Sequence, residues 1–167
     1  MSIRMKLTFK LIDRSDLLTI GDIYNYYVLN TTVTFRRDPV GLDELKRMYR
    51  LDDGRFRTYL INDGTETAGY CGYGPYKLHE GYERTAGIFI YLRPDKIARG
   101  IGTMALRYLE RVAREHGISV LLAYITAGNV NSDKLLKKQG YEQVAHFKRI
   151  GEKFNKTLDV TFYQKEL

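Results

Sequence analysis

The sequence predicts an α/β fold: a mixed α+β sheet with helices on both faces, in the order β-α-α-β-β-β-α-β-α-β-β. Three observations carry that expectation. A glycine pair, Gly100 and Gly102, separates an apolar strand end at Ile88–Leu92 from an amphipathic helix that stops at Gly117. Residues 118–126 (ISVLLAYIT) are almost continuously apolar, the pattern of a strand covered on both faces and parallel to a neighbour across a helix. Segments near both termini alternate apolar and polar residues, as half-buried strands do.

In chain order, Ile3, Met5, Leu7, Phe9 and Leu11 alternate over a first strand at 3–11. Asp13 or Ser15 can cap a helix at 16–29 whose apolar side carries Leu17, Ile20, Ile23, Tyr24, Tyr27 and Val28. A short helix at 42–51 buries Leu45, Met48 and Tyr49, and Asp63-Gly64 turns a strand at 56–61 into its return at 66–75. Gly69, Gly72 and Gly74 weaken that return strand and point to a bulge or a ligand lying close to its backbone. A strand at 82–92 leads to the glycine turn and the central helix, where Ile101, Ala105, Leu109 and Val112 form the apolar stripe. Asn131 or Ser132 caps a short helix ending at Gly140, and strands at 141–150 and 157–166 flank the loop GEKFNKT.

At 167 residues with one cysteine, Cys71, the chain reads as a single domain, 1–167, large enough to bury a core without disulfides or a metal. A net charge of +7 permits a phosphate-rich partner. The basic residues are dispersed, however, and the tightest group, Lys134, Lys137 and Lys138, reads as a solvated helix face. Nucleic acid is therefore not expected as a partner. The first residues interleave charges with apolar side chains instead of forming a signal-peptide core, and no apolar run reaches membrane length. A cytoplasmic protein is expected.

The turn before the central helix has a chemistry of its own. Glycines let backbone N–H groups approach a ligand, and a helix start adds orphan donors and partial positive charge. Arg99, beside the first glycine, adds a full charge. Such a turn can seat an anion, most naturally a pyrophosphate, although the same glycines would also serve a tight strand-to-helix connection with no ligand.

Local motifs run through the chain: IYNYYV (23–28), TTVTF (31–35), GYCGYGPY (69–76), Tyr91 with Arg93-Pro94-Asp95, Arg99-Gly100-Ile101-Gly102, Asn129 with Ser132, Gly140-Tyr141, and Gly151-x-Lys153-Phe154 before Leu158-Asp159-Val160. They span residues 16–163 in order. With the element order, they resemble the GNAT superfamily of N-acetyltransferases, in its phosphinothricin acetyltransferase-like branch. The resemblance implies acetyl-CoA as cofactor and the amine of a small, amino-acid-like molecule as acceptor. It assigns the pantetheine arm to the strand edge Ile90, Tyr91 and Leu92, and the pyrophosphate to Ile97, Ala98, Arg99, Gly100, Ile101 and Gly102. A further cofactor contact falls to Asn129. Phe35, Arg36, Tyr73, Tyr76 and Gly87 fall on the acceptor side, and a homodimer is implied.

Departures from the family pattern concern catalysis. The carboxylate expected of a general base falls at Gly87, in Thr85-Ala86-Gly87, and Glu83 lies about 13 Å away along an extended strand. Leu136 stands where a histidine is expected, and Arg36 where a glutamate is expected. No base is assigned; Tyr73, Tyr76, Tyr91, Tyr124 and His79 are the replacements the sequence offers. Two functions follow: an acetyl-CoA-dependent N-acetyltransferase, or an acyl-CoA-binding protein that has lost its acid–base residues.

Overall fold

The computed structural model describes residues 6–64 and 66–167. Seven strands form one sheet: β1 (Thr8–Leu11), β2 (Arg57–Asn62), β3 (Thr67–Pro75), β4 (Thr85–Leu92), β5 (Val120–Thr126), β6 (Glu142–Lys153) and β7 (Lys156–Glu166), in the spatial order β1-β2-β3-β4-β5-β7-β6. All neighbours are antiparallel except β4 and β5. Four helices, α1 (Leu17–Asn30), α2 (Leu42–Tyr49), α3 (Ile101–Glu115) and α4 (Val130–Lys138), complete the expected element order.

Two apolar clusters sandwich the sheet. On one face α1 and α2 bring Leu17, Ile20, Val28 and Leu45 against Leu60 and Tyr70; on the other, α3 brings Ile101, Leu106, Leu109 and Ala113 against Ala86, Leu121 and Tyr163. Leu106 and Leu109 are fully buried, each stabilising the fold by about 1.5–3 kcal/mol. The start of α1 is built by a preceding turn, Arg14–Asp16, in which Asp13 and Asp16 cap each other reciprocally. Ser15 is not a cap; its hydroxyl bonds the Asp13 carboxylate.

Several sequence expectations are corrected. The described part of the first strand begins at Thr8, residues 3–5 lie outside the described residues, and Leu11 is exposed because the chain turns there and buries Ile12 instead. The expected bulge in β3 lies beside Gly69, where the register with β2 skips Ala68 (Ile61↔Gly69, Asn62↔Thr67), but the backbone at the glycines is not open to a ligand. A side chain at Gly69 would meet the Tyr91 carbonyl, one at Gly72 the Phe89 ring, and one at Gly74 the Phe56 ring, so these glycines admit neighbouring strand and ring atoms. The segment GEKFNKT is a two-residue hairpin turn: Phe154 and Asn155 take φ of 52° and 56°, and pairing continues through Glu152↔Thr157 and Lys153↔Lys156. The helix after β5 is capped by Asn129, whose side chain accepts from the Ser132 N–H at 3.3 Å; neither Asn131 nor Ser132 is the cap. β5 is not covered along its whole length, since Tyr124 is 63% exposed.

Candidate active site

That exposure follows from how β4 and β5 part. Their parallel register extends only from Thr85↔Val120 to Gly87↔Leu122; beyond it the two strands diverge into a wedge. The strand phase decides which backbone groups face the gap. Arg93 N–H bonds the Ala68 carbonyl and Tyr76 N–H bonds the Thr85 carbonyl, so with the β3–β4 register Phe89 and Tyr91 direct their backbone groups toward β3. Ile88, Ile90 and Leu92 therefore turn theirs toward the wedge. Across it, Ala127 N–H bonds the Asp159 carbonyl, which commits the odd-numbered residues of β5 to β7 and leaves Tyr124 facing the gap. The Leu92 carbonyl is already held by the Tyr27 hydroxyl. Its N–H and both groups of Ile90 remain a strand-like edge for an amide-bearing ligand.

At the C-terminal end of β4 the chain enters the glycine turn. Ala98 and Gly100 both take left-handed conformations, φ 63° and 81°, on either side of Arg99, and α3 begins at Ile101. Alternation of this kind folds successive N–H groups into a concave anion seat, which the unpaired N–H groups of the first helical turn extend. Lys96 anchors the turn from below: it is buried, and its ammonium lies 2.8 Å from Asp63 and 2.7 Å from Glu66 at the β2–β3 hairpin. Arg99 is exposed, with no carboxylate partner among the described residues. Gly102 brings α3 close to α4, since an added Cβ would lie 3.2 Å from the Leu135 side chain.

The wedge opens into a cavity of about 680 Å³ that passes through the sheet. On the α3–α4 side it is bounded by Leu106, Ser132 and Leu135; on the α1–α2 side by Tyr24, Phe35, Met48, Phe56, Phe89 and Tyr91. Asn129 borders this cavity and also a smaller polar cleft of about 430 Å³ beside Thr31 and Gly128. Its cap bond engages the side-chain oxygen and leaves the amide NH₂ available. Residues 31–35, which close the α1–α2 side, are pinned from several elements. Thr126 bonds the Thr32 carbonyl, Tyr24 bonds the Thr34 hydroxyl at 3.0 Å, and the buried Lys153 ammonium bonds the Thr34 carbonyl at 2.8 Å. Burial holds the Lys153 ammonium below its usual pKa. The Phe35 ring fills the space above Gly151, where a Cβ would clash.

The sequence candidates separate accordingly. Phe35, Tyr76, Gly87, Ile90, Tyr91, Tyr124 and Asn129 line the cavity. Tyr73 does not; it points to the opposite face of β3, packs in the α3 cluster, and burial raises its pKa. Arg36 is ion-paired with Glu44 of α2 and lies outside the lining. His79 is exposed at the cap of a short turn, and Glu83 precedes β4 instead of lying within it. Burial also pushes the Tyr91 hydroxyl and the Cys71 thiol well up, which keeps both protonated. At Gly87 an added Cβ would meet nothing within 4 Å. No Asp, Glu, Lys, Arg or His lines the cavity among the described residues. Sequence reasoning missed Met48, Phe56, Phe89 and Lys153 as site or supporting residues. Only Lys153 carried a signal, as part of a matched motif.

Residues 9–162 match the family model described as acetyltransferase (GNAT) domain. The chain belongs to the GNAT acetyltransferase family. It is an acetyl-CoA-dependent N-acetyltransferase. It is 34% identical over 158 residues to an L-methionine sulfoximine/L-methionine sulfone acetyltransferase of Pseudomonas paraeruginosa, covering 92% of this chain and 90% of the relative. It superposes with a TM-score of 0.88 and 31% identity on a ribosomal-protein-alanine N-acetyltransferase from Brucella melitensis, covering 96% and 99% of the two chains. A phosphinothricin acetyltransferase from Sinorhizobium meliloti, crystallised with acetyl-CoA, gives a TM-score of 0.91 at 25% identity, with 98% and 89% covered. No helix among the described residues is long and apolar enough to cross a membrane.

Proposed function

We propose that this protein transfers the acetyl group of acetyl-CoA to the amine of a small, amino-acid-like molecule. The observation that carries the reading is the wedge between β4 and β5, which opens into a cavity bounded on both sides of the sheet and whose β4 edge runs on along the chain into the turn at Ile97–Gly102. A thioester supplies the activated acetyl group. Arg99 and the N–H groups from Ala98 to Gly102 would bind phosphate oxygens. The Ile90 edge would bind the pantetheine amides, and the Asn129 NH₂ would add a contact. The Leu92 N–H faces the gap and would stabilise negative charge developing on the thioester oxygen.

With no carboxylate lining the pocket, the acceptor amine enters as its free base. The rate then rises tenfold per pH unit until the amine's own pKa is reached. Holding the amine against the reacting carbon supplies most of the acceleration, and a general base would add typically ~10²–10⁴-fold. The test is a thiol-release assay with acetyl-CoA against amino acids, sulfoximines, phosphinothricin and polyamines. Release above the amine-free rate supports transfer. Tight acetyl-CoA binding with no release across the panel would support the acyl-CoA-binding reading instead.

The same proposal includes a homodimer built on the edge strand β6. That strand is long and exposes Val144, Phe147 and Ile150, with Phe154 exposed in the turn that follows, apolar surface that an unpaired sheet edge rarely leaves in water. Ile150 also borders the cavity, so a second copy there would complete its rim. Sedimentation equilibrium tests it: a monomer at micromolar concentration refutes the dimer, and Ile150→Lys should dissociate one that forms.

A further inference from the structure

We infer that the acceptor carries an apolar, aromatic-sized body with no charged group at the end remote from its amine, which sets this protein apart from its phosphinothricin-acetylating relatives. The inference rests on the transferase reading and concerns the half of the cavity on the α1–α2 side. Four elements meet there. Met48 comes from α2, Phe56 from the residue before β2, Phe89 from β4 and Phe35 from the segment after α1. The aromatic walls are fixed rather than adaptable: the Phe56 ring occupies the space left by Gly74, and the Phe35 ring that left by Gly151. Phe89 packs edge-on against Tyr49. The polar side chains that line this half bear hydroxyls: Thr34, Tyr24, Tyr76 and Tyr91.

The charges nearest the cavity are engaged elsewhere or, like Arg50 over the Phe56 ring, stand outside its lining. Arg36 is ion-paired with Glu44, and the Lys153 ammonium is spent on the Thr34 carbonyl behind the Phe35 wall. Lys77 sits outside the lining, over the rings of Tyr76 and Tyr82. A phosphinate or carboxylate at the far end of an acceptor would lose its water and find no cation in return, a penalty that an apolar body escapes. An aromatic body gains ring contacts with Phe35, Phe56 and Phe89. In an amino acid the carboxylate lies beside the amine, so the discrimination falls on the far end.

The experiment compares kcat/KM for L-phenylalanine and 2-phenylethylamine with that for phosphinothricin, at saturating acetyl-CoA. The two aromatic amines should exceed phosphinothricin at least tenfold. Met48→Arg, which introduces a cation into the wall, should shift the ratio at least tenfold toward phosphinothricin in a protein that melts normally. Phosphinothricin equal to or better than both aromatic amines overturns the inference and leaves acetyl transfer standing. No thiol release above the amine-free rate with any of these amines overturns the transferase reading. Calorimetry on the protein with CoA then decides the pocket chemistry alone: 2-phenylethylamine binding tenfold tighter than phosphinothricin upholds it, and equal or reversed affinities sink it. If Met48→Arg does not fold, the parent ratio remains decisive.

Discussion

Gly87→Glu is the most informative substitution the site offers. The position lies on β4 at the last residue paired with β5, where the wedge opens. An added Cβ meets no atom within 4 Å, and Gly87 is not among the residues with positive φ, so a side chain needs no backbone change. Removing a strand glycine should by itself stabilise the fold by about 0.4–1 kcal/mol. Placing a carboxylate beside Phe89 and Ile88 works against that gain through desolvation, and the same desolvation raises its pKa above the ordinary ~4.3. A base so placed can accept the amine proton through one water. A tenfold rise in kcat, about 1.4 kcal/mol of barrier, is the expected gain, below the full range for general bases because no second group orients the new carboxylate. The assay is thiol release as a function of pH, with a melting curve and acetyl-CoA calorimetry on the same preparation. The parent rate should follow only the amine's ionisation, whereas the variant should gain activity at lower pH, above its new carboxyl pKa. A folded variant that binds acetyl-CoA and releases no more thiol than the parent, at any pH and with any amine, would refute the argument that position 87 lacks only its carboxylate.

Other outcomes follow from the same geometry. Gly100→Val forces a β-branched residue into φ 81°, at a conformational cost of about 1–2 kcal/mol, and should raise the acetyl-CoA Kd at least tenfold by calorimetry. Arg99→Ala should weaken acetyl-CoA binding and flatten its salt dependence; equal slopes for the two proteins would remove Arg99 from the phosphate seat. Lys153→Met removes the ammonium that holds the Thr34 carbonyl at 2.8 Å, so acceptor KM should rise while acetyl-CoA Kd stays within twofold. The Asp13 carboxyl is held down to about 2 by the Ser15 hydroxyl and backbone N–H. Its folded pKa lies below the unfolded 3.8, so the cap's contribution is present above pH 3.8 and lost as pH falls toward 2. Melting temperature followed across that window should be flatter in Asp13→Asn than in the parent.

The element order was legible because each segment declared its own period. The stripe Ile101, Ala105, Leu109 and Val112 marks α3, and all four are buried. The anion seat was legible for a related reason: backbone conformation at Gly100 and donor exposure at a helix start are local properties. Arg99-Gly100-Ile101-Gly102 states both without reference to the rest of the chain.

What the sequence left undecided depends on which neighbours arrive. The glycines of β3 read as room for a ligand, yet the room is taken by Phe56, Phe89 and the Tyr91 carbonyl, which come from other strands. Tyr73 and Tyr76 looked equivalent, but an odd spacing along β3 sends one into the α3 core and leaves the other at the cavity. Arg36 read as a charge aimed at substrate until α2 supplied Glu44. The seven-residue loop closed to a turn at Phe154 and Asn155, because continued pairing of β6 with β7 outweighs the strain of two left-handed residues. Local sequence thus determined the elements and the glycine turn. Only the tertiary structure decided the acceptor pocket, whose walls come from strands, helices and loops far apart in the chain and whose chemistry is the sum of side chains that no single segment contains.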